Sequence, residues 1–122
     1  MKNYFVQKTI IDNNLKNFIK NKINNKDLQE AVSHCFYKGK RLRSVITKLI
    51  TDRNNINFNK KININKVATA VEIYHSVSLI IDDLPCMDND NYRRGEKTVH
   101  YKYGSPASYI LIQFLLGKAF EL

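Results

Sequence analysis

The sequence predicts an all-α chain whose helices pack antiparallel as a bundle. Three observations carry that prediction. Apolar residues recur at three- and four-residue spacing in five separate stretches. No stretch of useful length alternates apolar and polar residues as a half-buried strand does. Helix-ending and helix-opening residues, Gly39, Pro85 and Ser105-Pro106, fall between the stretches.

Each element has its own reason. Tyr4 to about Ile23 carries Phe5, Ile11, Leu15, Phe18 and Ile19 at helical spacing. A second helix runs from Leu28 to Tyr37, with Asp27 as its cap and Glu30 three residues on, as in a capping box. Gly39 ends it and leads into a basic helix, Lys40 to about Asp52, with Leu42, Val45, Ile46, Leu49 and Ile50 on its apolar side. Arg53 to Asn65, rich in Asn and Lys, reads as a loop. The central helix, Asn65 to Asp83, spreads Val67, Ala70, Val71, Tyr74, Val77, Ser78 and Ile81 over broad faces, and Pro85 stops it. Leu84 to Lys102 reads mostly as loop. Ser105-Pro106 then opens a last helix to Leu122, apolar nearly all round.

At 122 residues the chain makes one domain at most, spanning 1–122, with enough length for a core. The net charge of +9 comes from 20 basic against 11 acidic residues. That balance permits nucleic acid or an anionic membrane as partner. The lysines are dispersed through an Asn/Lys-rich N-terminal half, however, and the aspartates described below would repel a nucleic-acid backbone. Neither nucleic-acid binding nor stable membrane insertion is therefore expected. Tyr109 to Leu116, the longest apolar run, is broken by Gln113 and too short to span a bilayer. Nothing at the N-terminus has the apolar core of a signal peptide. Cys35 and Cys86 do not make a disulfide framework, so reduced thiols and a cytoplasmic location are expected.

The densest chemical signal is Asp82-Asp83-Leu84-Pro85-Cys86-Met87-Asp88-Asn89-Asp90. Clustered carboxylates raise one another's pKa. The first two also sit at the negative end of a helix dipole. A hard divalent cation such as Mg²⁺ resolves that conflict, because it takes oxygen ligands and keeps positions open for phosphates. The plainer alternative is a solvated acidic loop.

Arginine usage sharpens the reading. Only five of the basic residues are Arg, and four of them fall in Gly39-Lys40-Arg41-Leu42-Arg43 and Arg93-Arg94-Gly95. Arg offers a flat fork that matches phosphate oxygens, and the first cluster opens a helix, where free N–H groups also favour an anion. A solvated basic face would explain either cluster alone. Two such clusters beside an acidic one point to a phosphorylated ligand, or to two. His75, Leu79, Asp82 and Asp83 are spaced to share one face of the central helix, with Glu72 one turn earlier.

The run from Glu72 to Asp90, followed by Arg93-Arg94-Gly95 and Thr98-Val99-His100, closely resembles the trans-isoprenyl diphosphate synthases, the farnesyl and geranylgeranyl diphosphate synthases. Gly39-Lys40-Arg41-Leu42-Arg43 resembles that family's upstream basic motif, and Ala119-Phe120-Glu121-Leu122 also fits. The likeness runs from about Leu28 to the end. It implies an isoprenoid synthase fold and a Mg²⁺-dependent prenyltransferase joining an allylic diphosphate to isopentenyl diphosphate. By resemblance, Asp82, Asp83 and Asp88 hold Mg²⁺ against the allylic diphosphate, and Arg93 contacts the same group. Lys40, Arg43, His75 and Arg94 match the set that binds isopentenyl diphosphate.

The sequence also departs from the family pattern. Lys38 stands where the family has the first of two glycines, and Ser44 stands for a proline. Ile81 replaces a frequent histidine, Lys97 a proline, and Ile112-Gln113 a Gly-Asp pair. A second aspartate-rich motif is absent. The expectation is an N-terminal half of a polyprenyl synthase domain that works as a homodimer or needs a C-terminal half, with a non-catalytic diphosphate-binding remnant or partner subunit as the alternative. The resemblance further implies that product length is set five residues before Asp82, at Val77 beside Ser78, where small side chains leave the floor open. Tyr74, Tyr109 or Phe114 are the alternative floors.

Overall fold

A computed structural model of the chain describes residues 2–53 and 63–122. Its order is α1 (Lys2–Lys22), α2 (Lys26–Cys35), α3 (Leu42–Arg53), α4 (Ile64–Asp83), β1 (Tyr92–Arg93), β2 (Glu96–Lys97), α5 (Val99–Tyr103) and α6 (Ser105–Glu121). All five expected helices form. Helix α4 is the hub: it packs most extensively on α6, then on α3 and α1. The core follows from that placement. Ile11, Leu15 and Phe18 of α1 meet Val32, Phe36, Val45, Leu111 and Leu115 around Ile73, Val77 and Ile80 of α4. Full burial of one such side chain contributes about 1.5–3 kcal/mol before entropy is subtracted.

The element ends differ from expectation in ways the backbone explains. Asn25, not Asp27, caps α2: its backbone is extended and its Oδ1 accepts from Leu28 N at 2.9 Å. Asp27 instead lies inside the first turn, where its charge complements the dipole. Helix α3 starts at Leu42 rather than Lys40, because Lys38 and Arg41 adopt φ of 50° and 56° and a right-handed helix cannot run through them. Of the expected Arg53–Asn65 loop, Arg53 closes α3 and Asn63 caps α4, while 54–62 lie outside the described residues.

Within the expected Leu84–Lys102 loop, a two-residue hairpin pairs Tyr92 with Lys97 and Arg93 with Glu96. Arg94 and Gly95 turn it, both at positive φ, as tight two-residue hairpins require. Strands this short have no periodicity to read. Gly104, at φ 88°, is both the last residue of the α5 turn and the cap of α6, a conformation that favours glycine. Helix α6 buries Ser108, Leu111 and Leu115 but leaves Tyr109, Ile110 and Phe120 exposed. No helix among the described residues is long and apolar enough to cross a membrane.

Candidate diphosphate site

The chain doubles back twice near the C-terminal end of α4, and that brings the motifs together. The turn between α2 and α3 carries Lys38 to Arg41, and the first residues of α3 add Arg43. The hairpin carries Arg93 and Arg94. Both meet α4 beside His75, and Lys38, Lys40, Arg43, His75 and Arg94 line one cleft of about 350 Å³. All four residues matched to isopentenyl diphosphate are therefore in one place; Lys38 is an addition that sequence spacing did not single out.

The cleft is strongly cationic. Arg43 Nη1 lies 3.2 Å from His75 Nε2, so the imidazole nitrogen accepts and the ring is neutral in this arrangement. Partial burial lowers the His75 pKa from its ordinary 6.5, and the Arg43, Arg94 and Arg93 charges lower it further; Glu72 opposes them. Burial and the neighbouring Arg93 likewise depress Arg94. Arg94 is oriented by donating to Tyr37 O at 3.2 Å, which ties the hairpin to the end of α2. His34 Nε2, 2.7 Å from Lys97 O, makes a second tie.

Arg41 departs from the expectation of a ligand-facing cluster. It is 7% exposed, with Nε on Asp12 at 2.8 Å, Nη1 on Glu72 at 3.2 Å and Nη2 on Phe36 O. Its fork is spent inside the fold. Ser44, in the position of the family's proline, donates to the second oxygen of buried Glu72 at 3.0 Å. Gly39 makes this possible: a Cβ there would lie 2.0 Å from Arg41 Nη1. Glu72 one turn before His75 was the visible hint of a buried counter-charge.

The aspartates separate by direction. Asp82 is exposed and lines a groove along α4, whereas Asp83, one helical step of about 100° further round, is buried and faces the hairpin. Arg93 grips Asp83 bidentately, Nε to Oδ2 at 2.9 Å and Nη2 to Oδ1 at 2.7 Å. That bond raises the Arg93 pKa further. Asp88 is exposed and folded back, its N–H donating to Asp82 O at 2.9 Å. Among the described residues no three His, Cys, Asp or Glu side chains converge to hold an ion. The donor set is nevertheless all-oxygen, with Asp82 and Asp88 open to solvent beside one another's backbone, and this chemistry suits a hard cation whose remaining ligands come from phosphate and water.

Apolar space adjoins the charged end. A groove of about 490 Å³ runs from Arg43, His75 and Asp82 past Leu79, Ser78, Tyr74 and Val71 to Val67 of α4 and Phe120 of α6. Val77 is not on it. At 2% exposure Val77 packs in the core, while Tyr74 projects into the groove at 59%. The expectation that Val77 is the open floor is corrected accordingly: of the residues considered, Tyr74 and Ser78 line this space. Both cysteines are free thiols. Cys35 is partly exposed as a residue, but its enclosed thiol has a pKa pushed up to about 12 by burial.

Comparison with known proteins gives these features a context. The family model for polyprenyl synthetase matches residues 25–122. A farnesyl diphosphate synthase from Buchnera aphidicola is 41% identical over 96 residues, 78% of this chain and 33% of that protein. A geranylgeranyl diphosphate synthase from Saccharolobus solfataricus is 43% identical over 108 residues, 88% of this chain and 30% of that protein. Among solved structures, a geranyltranstransferase from Thermotoga maritima superposes with a TM-score of 0.82 at 27% identity, covering 97% of this chain and 43% of that one. The chain thus spans about a third of the length of these curated relatives.

Proposed function

This chain belongs to the polyprenyl synthetase family, and from that premise we propose that it serves a prenyltransferase condensing an allylic diphosphate with isopentenyl diphosphate to farnesyl or geranylgeranyl diphosphate. The observation that carries the reading is the convergence of Lys40, Arg43, His75 and Arg94 on one cleft beside the Asp82–Asp90 loop and the mouth of an apolar groove.

The roles follow from chemistry. Lys40, Arg43 and Arg94 hold the isopentenyl diphosphate by charge-assisted hydrogen bonds, with His75 at the junction between cleft and groove. Arg93 holds the allylic diphosphate as its charge grows, and Asp83 keeps the guanidinium aimed. Asp82 and Asp88, whose carboxylates are open to solvent, are the residues that would hold Mg²⁺, which when bound would offset charge on the leaving diphosphate, whereas Asp83, matched to the same set, has both oxygens on Arg93 here. The allylic carbon–oxygen bond breaks with its electron pair going to diphosphate, the isopentenyl double bond forms the new carbon–carbon bond, and a proton is lost. The groove along α4 supplies one apolar wall against the intermediate cation, and water is excluded once its other side is covered. Its open side fits a covering wall, from a second copy of the chain or from polypeptide equivalent to the part of the longer relatives that this chain does not match. We place the protein in the cytoplasm, where the exposed Cys86 thiol stays reduced.

Calorimetry tests the reading. Arg43→Lys and Arg94→Lys keep charge but lose the fork, so each should weaken isopentenyl diphosphate binding by roughly 1–3 kcal/mol. Arg53→Lys should change nothing. Equal behaviour of all three would reduce the clusters to surface charge. In parallel, pyrophosphate should strengthen Mg²⁺ binding, and Asp82→Asn should abolish that gain.

A further inference from the structure

Thr98 stands at the N-cap of α5, where a threonine hydroxyl ordinarily accepts from the first turn, yet it makes no side-chain cap hydrogen bond. Thr98 is 3% exposed, and its Oγ1 donates instead to Asp90 O at 2.7 Å. His100 Nε2, also 2.7 Å from Asp90 O, takes the second lone pair of the same carbonyl. The Thr98 N–H adds a third bond to the loop, to Asn91 O at 2.9 Å. On its inner side the same loop is held by the end of α4: Asp88 N donates to Asp82 O at 2.9 Å and Asn89 N to Leu84 O at 3.0 Å.

From this arrangement we propose that Thr98 and His100 are positioning residues: they clamp the Asp90 peptide and thereby keep Asp88 folded back against Asp82. The proposal rests on the reading of these aspartates as metal ligands. Asp88 lies three residues after Pro85 and next to Asn89, at φ 51°, in a solvent-exposed loop. Such a loop would sample many conformations if held at one side only. Two donors on one carbonyl bring a second boundary to it, just past Asp88. A threonine whose hydroxyl capped α5 in the usual way would leave the Asp90 carbonyl to His100 alone. The geometry therefore puts the clamp in α5, while the carboxylates it serves belong to α4 and its loop.

The test uses the full chain with inorganic pyrophosphate and Mg²⁺ as probes. Thr98→Val preserves shape and removes the hydroxyl, Thr98→Ser restores it, and His100→Leu removes the second donor. In the metal-free chain, amide exchange at Asp88 and Asn89 should quicken roughly tenfold in Thr98→Val and His100→Leu and return in Thr98→Ser. Pyrophosphate affinity with Mg²⁺ should fall about tenfold in the same two variants, as for supports of metal ligands. Metal-free pyrophosphate affinity, set by the basic cleft, should hold. Unchanged exchange overturns the clamp, and so does an equal loss of both affinities, which would mean a general structural role. A wild-type chain whose pyrophosphate affinity ignores Mg²⁺ overturns the metal reading instead, and the exchange rates still decide the clamp.

Discussion

His75 shows how a single residue reads out the charge around it. Its folded pKa lies below the ordinary 6.5, from burial first and the nearby arginines second. The native chain therefore binds fewer protons than the unfolded chain just below that pH, so stability is fully kept above it and falls as pH drops through the window beneath. His75→Gln should flatten the stability–pH curve in that window, measured by urea unfolding. A bound diphosphate offsets the arginine charges, so binding at about pH 6 should take up a proton. Binding enthalpies in two buffers of different ionisation heat will report this uptake, and His75→Gln should erase it. Gly39 poses a steric question at the same scale. Gly39→Ala drives a methyl into the Arg41 guanidinium, which Asp12 and Glu72 hold in place. A loss of about 1–3 kcal/mol is expected, the range for overpacking.

At the scale of elements, caps and faces are the testable features. Asn25→Ala should destabilise the fold by about 1 kcal/mol, with Asp27→Ala costing less, because only Asn25 satisfies an orphan N–H of α2. The reverse order would restore Asp27 as the cap. Helix α4 presents its two sides differently. Val77 is buried and Tyr74 exposed, three residues apart. Val77→Tyr should therefore lower the unfolding midpoint through overpacking, while Tyr74→Ala should leave it nearly unchanged. In an enzyme completed with a relative's C-terminal half, the Tyr74 variant is the one expected to alter product length.

For the whole molecule, the notable property is an apolar groove left open between α4 and α6, with Phe120 85% exposed at its far end. Contiguous apolar surface of this kind marks an interaction site rather than inert exterior. An environment-sensitive apolar dye should bind there. Farnesyl diphosphate should displace it, while inorganic pyrophosphate, which lacks an apolar tail, should not. Displacement by both would place the dye in the charged cleft.

Helices were legible in the sequence because their period is local: spacing in α1, α3, α4 and α6 was enough to find them. The motifs were legible for a similar reason, since Lys40 and Arg43, Asp82 to Asp88, and Arg93-Arg94 each sit within a few residues of one another. What the sequence could not decide was direction. Arg41 and Arg43 are two residues apart, yet one is buried on Asp12 and Glu72 and the other faces the cleft. Asp82 and Asp83 are adjacent and point to different neighbours. The hairpin, with two residues per strand, exists because His34 of α2, Tyr37 just beyond it and Asp83 of α4 receive it, not because of its own pattern. Periodicity and residue chemistry are properties of a short stretch of chain, so the sequence determined them. Which charge meets a partner and which stays free depends on residues brought together from 10 to 63 positions apart, as in Arg93–Asp83 and His34–Lys97, and only packing around α4 decides that.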